Sequence, residues 1–245
     1  MAIPLRRLPL LSMRNFRDLG GYSAGGGVTR YRRLYRADCP AELTQADIEA
    51  IKAAGVRTSV DMRSDREVAR QPSSLANVPD IDYHRVSLFG NIETLRAYLD
   101  VQPETSIMGD LESLYVALAE VSHEQIVSIF RLIALSLPYG AVLVHCTAGK
   151  DRTGIISALL LLLCGVSTRD VLVDYSMTRI LLEPSVVPWP VGGESNALLS
   201  SDPATIAHFA THLDRAYGGV ENYLREHGLL QSDIDSIVFE MVEKE

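Results

Sequence analysis

The sequence predicts an α/β fold, on two observations. The apolar run at 141–144, which Pro138 and Gly140 precede, is typical of a buried strand, and helix-forming segments precede and follow it. The 245 residues, 47% hydrophobic and 22% charged, suit one α/β domain or two small ones with a sizeable core. The order helix, strand, loop, helix places a polar loop at the carboxyl end of a strand, where α/β sheets bind ligands.

The first third of the chain predicts a hairpin, a short helix and a strand. Three glycines at 25–27 lie between two β-like stretches and indicate the turn of a hairpin. A helix is predicted from Thr44 to Ala54, with a capping residue at its start and Gly55 as its stop. The strand-like run that follows ends in Asp61 and Arg63, at a position where polar side chains can face a ligand crevice.

Helices are predicted for most of the remaining chain. Residues 83–88 form one more strand-like run, and 91–120 contains only mixed helical segments. Ser122 is expected to start a clear helix through the capping box S-H-E-Q, and this helix is predicted to end at Pro138. Ser167 to Leu182 is also predicted to be helical.

The segment from Glu183 to Pro203 interrupts this regular pattern. It contains several prolines and the only tryptophan, Trp189, and it is not expected to form a regular element. Long irregular segments within compact domains are commonly lids or binding loops, so Trp189 either covers the substrate or anchors the loop in the core. The chain beyond Pro203 is predicted to be helical, with a second capping box at Ser232.

The loop after the strand at 141–144 contains the candidate catalytic residues. Cys146 is followed after five residues by Arg152, and the helix begins there. A tight loop that enters a helix directs several backbone N–H groups toward one point, where they can bind a tetrahedral dianion. Arg152 can bind two oxygens of such an anion at once. Cys146, close to a helix N-terminus and a guanidinium, is expected to be a thiolate at neutral pH.

H-C-T-A-G-K-D-R-T-G at 145–154 resembles the signature of the cysteine-dependent protein tyrosine phosphatase superfamily. The Lys150-Asp151 pair and N-F-R-D-L-G-G-Y at 15–22 are similar to its bacterial branch, which includes enzymes that also accept phosphoinositides. The resemblance implies a central, mostly parallel sheet flanked by helices, with a helical lid and C-terminal helices. It implies one phosphatase domain over 1–245, with a lid insertion at about 184–215.

The chemistry expected of this loop is hydrolysis of a phosphate monoester without a metal or other cofactor. Cys146 attacks phosphorus and forms a phosphocysteine, while Arg152 and the loop amides hold the equatorial oxygens. Thr153 is expected to donate a hydrogen bond to the thiolate. Lys150 is expected to add a positive charge at the mouth of the site. The residues expected to bind substrate are Thr147, Ala148, Gly149, Lys150 and Thr153.

The leaving group needs a proton, and the sequence offers two donors. Trp189 is followed by Pro and Val, so it lacks the acid of a W-P-D segment. Asp151 is the first candidate for the general acid and Asp61 the second. His145 is expected to fix the geometry of the loop.

Several arginines are open to a structural or a site-supporting interpretation. Arg17 and Arg36 belong to the N-terminal segment that the resemblance places beside the loop, and Arg63 follows the strand that ends at Asp61. Each is either a residue of the scaffold or a support of the site.

Charge and composition restrict the partners. A net charge of -8 argues against nucleic-acid binding and against an electrostatic membrane anchor. The apolar run at 155–164 is too short to span a bilayer, and the N-terminus is a poor signal peptide. The expected partners are a phosphorylated protein or a phosphoinositide, with inorganic phosphate as product. A cytoplasmic location is expected, with unconventional secretion left open.

Two other functions remain open at this point. A rhodanese-like sulfurtransferase also uses a cysteine in an anion-binding loop, and a phosphate-binding module could have lost catalysis. The three cysteines, Cys39, Cys146 and Cys164, suit a reducing compartment. Pairing of Cys146 with either of the others would indicate redox regulation.

Overall fold

The structure is a computed structural model that describes residues 6–89, 111–182 and 201–244. Its strands are Arg17–Asp18 (β1), Ser23–Ala24 (β2), Gly27–Thr29 (β3), Leu34–Ala37 (β4), Val56–Asp61 (β5), Asp82–Arg85 (β6), Ala141–His145 (β7) and Val242–Lys244 (β8). A five-stranded sheet has the order β1-β4-β7-β5-β6, and β2, β3 and β8 form a separate small sheet. In the larger sheet β4, β7, β5 and β6 are parallel, and β1 is antiparallel to β4. The predicted mostly parallel sheet is therefore confirmed.

Helices cover this sheet. They are Gln45–Ala53 (α1), Asp65–Arg70 (α2), Leu111–Val121 (α3), His123–Ser136 (α4), Asp151–Leu163 (α5), Thr168–Leu181 (α6), Pro203–Tyr217 (α7), Val220–Glu226 (α8) and Gln231–Met241 (α9). Short 3-10 turns lie at Ser74–Asn77 and Leu137–Tyr139. Among the described helices, none is both long enough and apolar enough to cross a membrane.

Strand β7 lies in the centre of the sheet, and all five of its residues are buried. Its alternate residues contribute to two cores, because successive side chains of a strand point to opposite faces. Val142 and Val144 pack in the larger core, which contains α5, whereas Leu143 packs in the smaller core with Ile51 of α1. The burial of β7 on both faces explains why its sequence is continuously apolar.

The register of the parallel strands determines where the loop after β7 lies. His145, the last residue of β7, is paired with Ala37 on one side and with Asp61 on the other. The carboxyl ends of β4, β7 and β5 therefore meet at one edge of the sheet. The predicted position of the reactive loop, between a buried strand and α5, is confirmed.

Several local predictions are confirmed. Thr44 caps α1 with a reciprocal capping box to Asp47, and Gly55 follows the helix with a φ of 92°. The glycines at 25–27 connect β2 to β3 as an antiparallel hairpin. The strand before Asp61 is present as β5, and the predicted helix after Ser167 is present as α6, with Ser167 as its cap.

The two later capping-box predictions, at Ser122 and Ser232, were both wrong. The side chain of Ser122 makes no cap hydrogen bond, because its backbone N–H still binds Leu118 O at the end of α3. Its φ of -106° and ψ of 23° lie outside the extended conformation that a capping serine needs. At the second site α9 already begins at Gln231, with Leu230 as its cap, so Ser232 lies within the helix.

The predicted lid at about 184–215 lies only partly within the described residues. Residues 203–215 belong to α7, whose Ile206, Phe209 and Leu213 are fully buried in the larger core. These three side chains pack this helix against the core. Residues 184–200, including Trp189, lie outside the described residues, so a lid there stays a prediction.

Candidate active site

The loop that follows β7 contains the candidate nucleophile. Cys146 is the first residue after the strand, and its exposed fraction is 2%. Gly149 has a φ of 68°, and a Cβ atom there would lie 2.5 Å from the carbonyl carbon of Ala37. Only glycine suits both the left-handed conformation and this close approach to β4. The glycine of the motif thus lets the loop pack directly on the neighbouring strand.

Two side chains hold the carbonyl groups of this loop from below. Asn15 Nδ2 donates hydrogen bonds to Ala148 O at 2.9 Å and to Gly149 O at 3.0 Å. Arg36 also donates to Gly149 O, at 2.8 Å. Because a trans peptide unit is planar, the N–H of each following residue points away from the carbonyl. The N–H groups of residues 149 and 150 are therefore directed to the opposite side of the loop.

A buried ion cluster supports these contacts. Asp174 of α6 accepts from Arg17 at 2.9 Å and from Arg36 at 2.5 Å, and all three side chains are at most 4% exposed. Arg17 also donates to Thr178 Oγ1 and to Asn15 Oδ1. Burial would raise the pKa of Asp174, but the charges of the two arginines outweigh it and lower the pKa to about 2.

The geometry favours the site-supporting interpretation of Arg17 and Arg36. Arg36 binds the carbonyl of Gly149 directly, and Arg17 orients Asn15, which binds the same carbonyl and that of Ala148. Sequence reasoning missed Asp174, although it lies in the V-D-Y-S-M-T segment that follows the loop helix. Three separate segments of the chain meet in this cluster, and their meeting is a property of the tertiary fold.

The guanidinium of Arg152 is held by contacts with Glu67, Thr147 and Phe89. Its two terminal nitrogens donate to the two carboxylate oxygens of Glu67, at 2.8 and 2.7 Å. Arg152 also donates to Thr147 Oγ1 at 3.3 Å, and the ring of Phe89 lies 4.6 Å from its guanidinium carbon. A guanidinium with these contacts is oriented before any anion arrives.

Glu67 is a site residue that the sequence analysis missed. It is the third residue of α2, where it forms a capping box with Ser64, and it also accepts from Thr147 Oγ1 at 2.5 Å. Burial would raise its pKa, but the hydrogen bonds from Arg152 and Thr147 lower the pKa below its usual range. The capping pattern S-D-R-E was the available signal, but that pattern alone predicts only a helix start.

Replacement of Glu67 by Gln is expected to lower kcat/KM by about tenfold. Gln keeps the capping hydrogen bond at Ser64 but removes the charge that orients Arg152. The measurement is steady-state hydrolysis of p-nitrophenyl phosphate. Glu49→Gln, on the exposed face of α1, is the control and should leave the rate unchanged. A Glu67→Gln rate equal to that of the wild type would show that Arg152 needs no such partner.

Asp61 lies at the end of β5 and is fully buried. Arg63 donates to both of its oxygens, the closest contact being 2.6 Å, and Tyr83 donates to Oδ2 at 2.7 Å. Burial would raise the pKa of Asp61, but the hydrogen bond from Arg63 and the contacts with His145 and Tyr83 lower it. A carboxylate in this position is an acceptor within the scaffold and has no open path to a leaving group.

His145 and Thr153 are buried next to the loop. His145 Nδ1 lies 3.5 Å from Cys146 O and 3.9 Å from Asp61 Oδ1. Burial lowers the pKa of His145 to about 4, so the ring is neutral at pH 7. Thr153 Oγ1 is buried without a hydrogen-bond partner among the described residues, so its predicted bond to the thiolate is not formed in this structure.

Asp151 is the first residue of α5, and its side chain is 35% exposed. Tyr115 donates a hydrogen bond to its Oδ1 at 2.7 Å, and Lys150 Nζ lies 3.4 Å from the same oxygen. Lys150 is only 2% exposed, which differs from the predicted position at the open mouth of the site. Of the two candidate acids, Asp151 is thus the one that solvent can reach.

The other two cysteines lie at different distances from the loop. The backbone N–H of Cys39 donates to Thr147 O at 3.0 Å, and burial raises the pKa of its thiol to about 12. Cys164 follows the last residue of α5, a helix that is about 20 Å long at 1.5 Å per residue. A disulfide between Cys164 and Cys146 is therefore incompatible with this fold. Pairing of Cys39 with Cys146 stays a hypothesis.

Comparisons with known proteins agree with this arrangement. A family model described as "Tyrosine phosphatase family" matches residues 8–243. A tyrosine-protein phosphatase of Nostoc commune is 34% identical over 214 residues, which cover 80% of this chain and 69% of that protein. The triple specificity protein phosphatase PtpB of Mycobacterium tuberculosis is 26% identical over 264 residues, covering 90% of this chain and 94% of PtpB.

Among solved structures, TpbA of P. aeruginosa aligns with a TM-score of 0.42 and 14% identity, over 80% of this chain and 86% of TpbA. The family model, by contrast, spans nearly the whole sequence and includes every element around the loop. The chain belongs to the tyrosine phosphatase family.

Proposed function

We propose that this protein hydrolyses phosphotyrosine monoesters through a phosphocysteine on Cys146, without a metal ion. The observation that carries the proposal is the loop between β7 and α5. Its carbonyl groups at Ala148 and Gly149 are bound from below, so its N–H groups face the other side, and Arg152 is fixed at its end. Membership of the tyrosine phosphatase family supports this assignment.

The first step transfers the phosphoryl group to the enzyme. The Cys146 thiolate attacks phosphorus, the bond from phosphorus to the phenolic oxygen breaks, and Asp151 gives its proton to the leaving oxygen. Arg152 and the loop N–H groups bind the three non-bridging oxygens, whose charge they stabilise during transfer. A neutral phenol leaves, and Asp151 is left as a carboxylate.

The second step releases inorganic phosphate. Asp151 takes a proton from water, the water oxygen attacks phosphorus, and the bond between phosphorus and sulfur breaks. Cys146 returns as a thiolate and Asp151 returns protonated, so both groups are ready for another cycle. Neither step changes an oxidation state, and His145, which is neutral and buried, takes no part in proton transfer.

Asp151 is preferred to Asp61 as the general acid because of its exposure and its partners. Asp61 is fully buried and bound by Arg63 and Tyr83, whereas Asp151 is about one-third exposed at the start of the loop helix. We therefore place Asp61 and Arg63 in the scaffold that supports the end of β5.

Replacement of Asp151 by Asn is expected to slow the reaction in proportion to how poor the leaving group is. For phenyl phosphate, kcat/KM should fall about 100-fold, a typical size for loss of general acid catalysis. For p-nitrophenyl phosphate, whose phenolate leaves without a proton, kcat/KM should change less than about threefold. The control is Asp170→Asn, which removes a half-buried carboxylate from the first turn of α6. Equal losses on both substrates would exclude Asp151 as the acid.

Hydrolysis of p-nitrophenyl phosphate and of a phosphotyrosine peptide in the presence of EDTA tests the whole proposal. Metal-independent turnover that releases inorganic phosphate is the expected result. Phosphopeptide binding without turnover would favour the non-catalytic module, and transfer of sulfur from thiosulfate to cyanide would favour the sulfurtransferase.

The same assay, repeated with phosphoserine, phosphothreonine and phosphoinositide substrates, measures the substrate specificity of the site. The relative from M. tuberculosis is named a triple specificity phosphatase, which is the reason to include these substrates. A cytoplasmic location stays a proposal from the sequence, and cell fractionation tests it.

A further inference from the structure

Two buried tyrosines form a chain of hydrogen bonds that ends on Asp151. The hydroxyl of Tyr115 lies 2.7 Å from Asp151 Oδ1 and 2.7 Å from the hydroxyl of Tyr175. Tyr115 belongs to α3, Tyr175 to α6 and Asp151 to α5, so three helices meet at this chain. Both tyrosines are at most 1% exposed.

The direction of this chain follows from the charge of Asp151. An ionised carboxylate can only accept, so Tyr115 donates to Asp151 and the Tyr115 oxygen accepts from Tyr175. Burial raises the pKa of Tyr115 and of Tyr175, so both hydroxyls keep their protons at neutral pH. When Asp151 carries its proton on Oδ2, its Oδ1 still accepts from Tyr115, so the hydrogen bond is kept in both protonation states. Asp151, Tyr115 and Tyr175 can therefore stay in contact both when Asp151 is a general acid and when it is a general base.

Packing fixes the two rings. The Tyr115 ring contacts Tyr175 and Phe209 edge to face, with ring centroids 6.1 and 6.4 Å apart. Gly154 lies directly under Tyr175, because a Cβ atom there would be 2.9 Å from Tyr175 Cε2. Gly154, the last residue of the R-T-G motif, therefore leaves room for Tyr175, the first member of the chain of hydrogen bonds.

The contacts of Asp151 select one of its two oxygens. In the described part of the chain, Tyr115 and Lys150 both approach Oδ1, which leaves Oδ2 to carry the proton toward the leaving group. An aspartate at a helix start that is about one-third exposed would otherwise sample several rotamers. The tyrosine hydroxyl restricts it to one of them.

We propose that Tyr115 is a positioning residue that holds Asp151 in the orientation for proton transfer, with Tyr175 aligning the Tyr115 hydroxyl. This inference rests on the proposed function, since it requires that Asp151 be the general acid. Neither tyrosine needs to touch the substrate, and their effect is transmitted through the carboxyl group alone.

The inference is tested by whether the loss of kcat/KM in Tyr115→Phe depends on the leaving group. The loss of the hydrogen bond that orients the acid is expected to lower kcat/KM for phenyl phosphate about tenfold. The value for p-nitrophenyl phosphate should change less than about twofold, because that leaving group needs no proton. Tyr175→Phe, which leaves Asp151 and Tyr115 in place, should act in the same direction with a smaller effect.

Tyr223→Phe is the matched control. Tyr223 is also fully buried and its hydroxyl donates to Ala119 O at 2.7 Å, on the same helix as Tyr115. This variant loses one buried hydroxyl without contact to Asp151, so it should show no leaving-group dependence. If Tyr115→Phe does not fold, the same comparison between Tyr175→Phe and Tyr223→Phe decides the question.

A double-mutant cycle separates this inference from its premise. In the Asp151→Asn background, Tyr115→Phe should cause no further leaving-group-dependent loss, because the acid it positions is gone. Equal effects of Tyr115→Phe on both substrates, or additive effects in the double mutant, would overturn the positioning role while leaving the acid assignment intact. If Asp151→Asn itself shows no leaving-group dependence, the acid assignment falls and the positioning role falls with it.

Discussion

Cys146→Ser is expected to lower turnover of a phosphotyrosine peptide by on the order of 10⁴-fold or more. A serine hydroxyl stays protonated near neutral pH, and the neighbouring His145 is too weak a base to activate it, because burial lowers the pKa of His145 to about 4. The supports of the phosphate loop remain in this variant, because Asn15 and Arg36 bind backbone carbonyls. Binding of the phosphopeptide, measured by calorimetry, should therefore survive.

The control for this substitution is Cys164→Ser. Cys164 is buried like Cys146 but lies beyond the far end of α5, so activity per folded molecule should stay near that of the wild type. Turnover by Cys146→Ser within tenfold of the wild type would mean that another group performs the attack. Loss of turnover in both variants would indicate a general requirement for intact packing.

Asp174→Asn is expected to destabilise the fold by about 3–5 kcal/mol, the cost of leaving buried charge without its partner. Asp174 is the carboxylate between Arg17 and Arg36, and neither guanidinium is exposed to water. Asparagine is of similar size, so the effect comes from the lost charge. The measurement is urea unfolding, compared at equal pH.

The pH dependence of this effect has a definite sign. The folded-state pKa of Asp174 is lowered from 3.8 to about 2, so its stabilising contribution is fully present above pH 3.8. The contribution is lost as the pH falls toward 2. The difference in unfolding free energy between wild type and Asp174→Asn should be constant near neutral pH and shrink in acid.

Asp80→Asn is the control for the loss of an ion-paired carboxylate. Asp80 pairs with Lys52 on the surface, where such pairs contribute little, and this variant should unfold like the wild type. An Asp174→Asn protein as stable as Asp80→Asn would show that the buried arginines find other partners.

The parts of the fold that were predictable are those whose signal is local. The buried strand β7, the loop and α5 follow one another within 141–163, and the apolar periodicity and loop residues were sufficient to predict them. The capping-box prediction at Ser122 was wrong because of the helix that precedes it. Helix α3 runs directly into α4, so that serine is engaged with the end of the preceding helix.

The residues that support the site could only in part be predicted. Arg17 and Arg36 were recognised as candidates, but their roles depend on Asp174, which is 157 residues from Arg17 in sequence. Glu67 is 85 residues from Arg152 and carries a capping signal that gives no indication of its second partner. Contacts of this separation depend on which strands and helices become neighbours, and local sequence patterns do not show them.

The choice between the two candidate acids depended on burial. Asp61 and Asp151 both lie at the end of an element near the loop, and their local sequences gave only an order of preference. The structure distinguishes the two residues. Arg63 and Tyr83 donate hydrogen bonds to Asp61, whereas solvent reaches Asp151.

The central claim, a phosphocysteine on Cys146, is tested most directly by trapping it. In Asp151→Asn the attack on p-nitrophenyl phosphate should proceed, while hydrolysis of the intermediate lacks its base, so the covalent species should accumulate. The reaction is run with EDTA, quenched with a denaturant at alkaline pH within the first turnover and digested for mass spectrometry. We expect the peptide that contains Cys146 to carry the mass of one phosphoryl group. Phosphate on another residue, or a first turnover without any covalent species, would contradict the account.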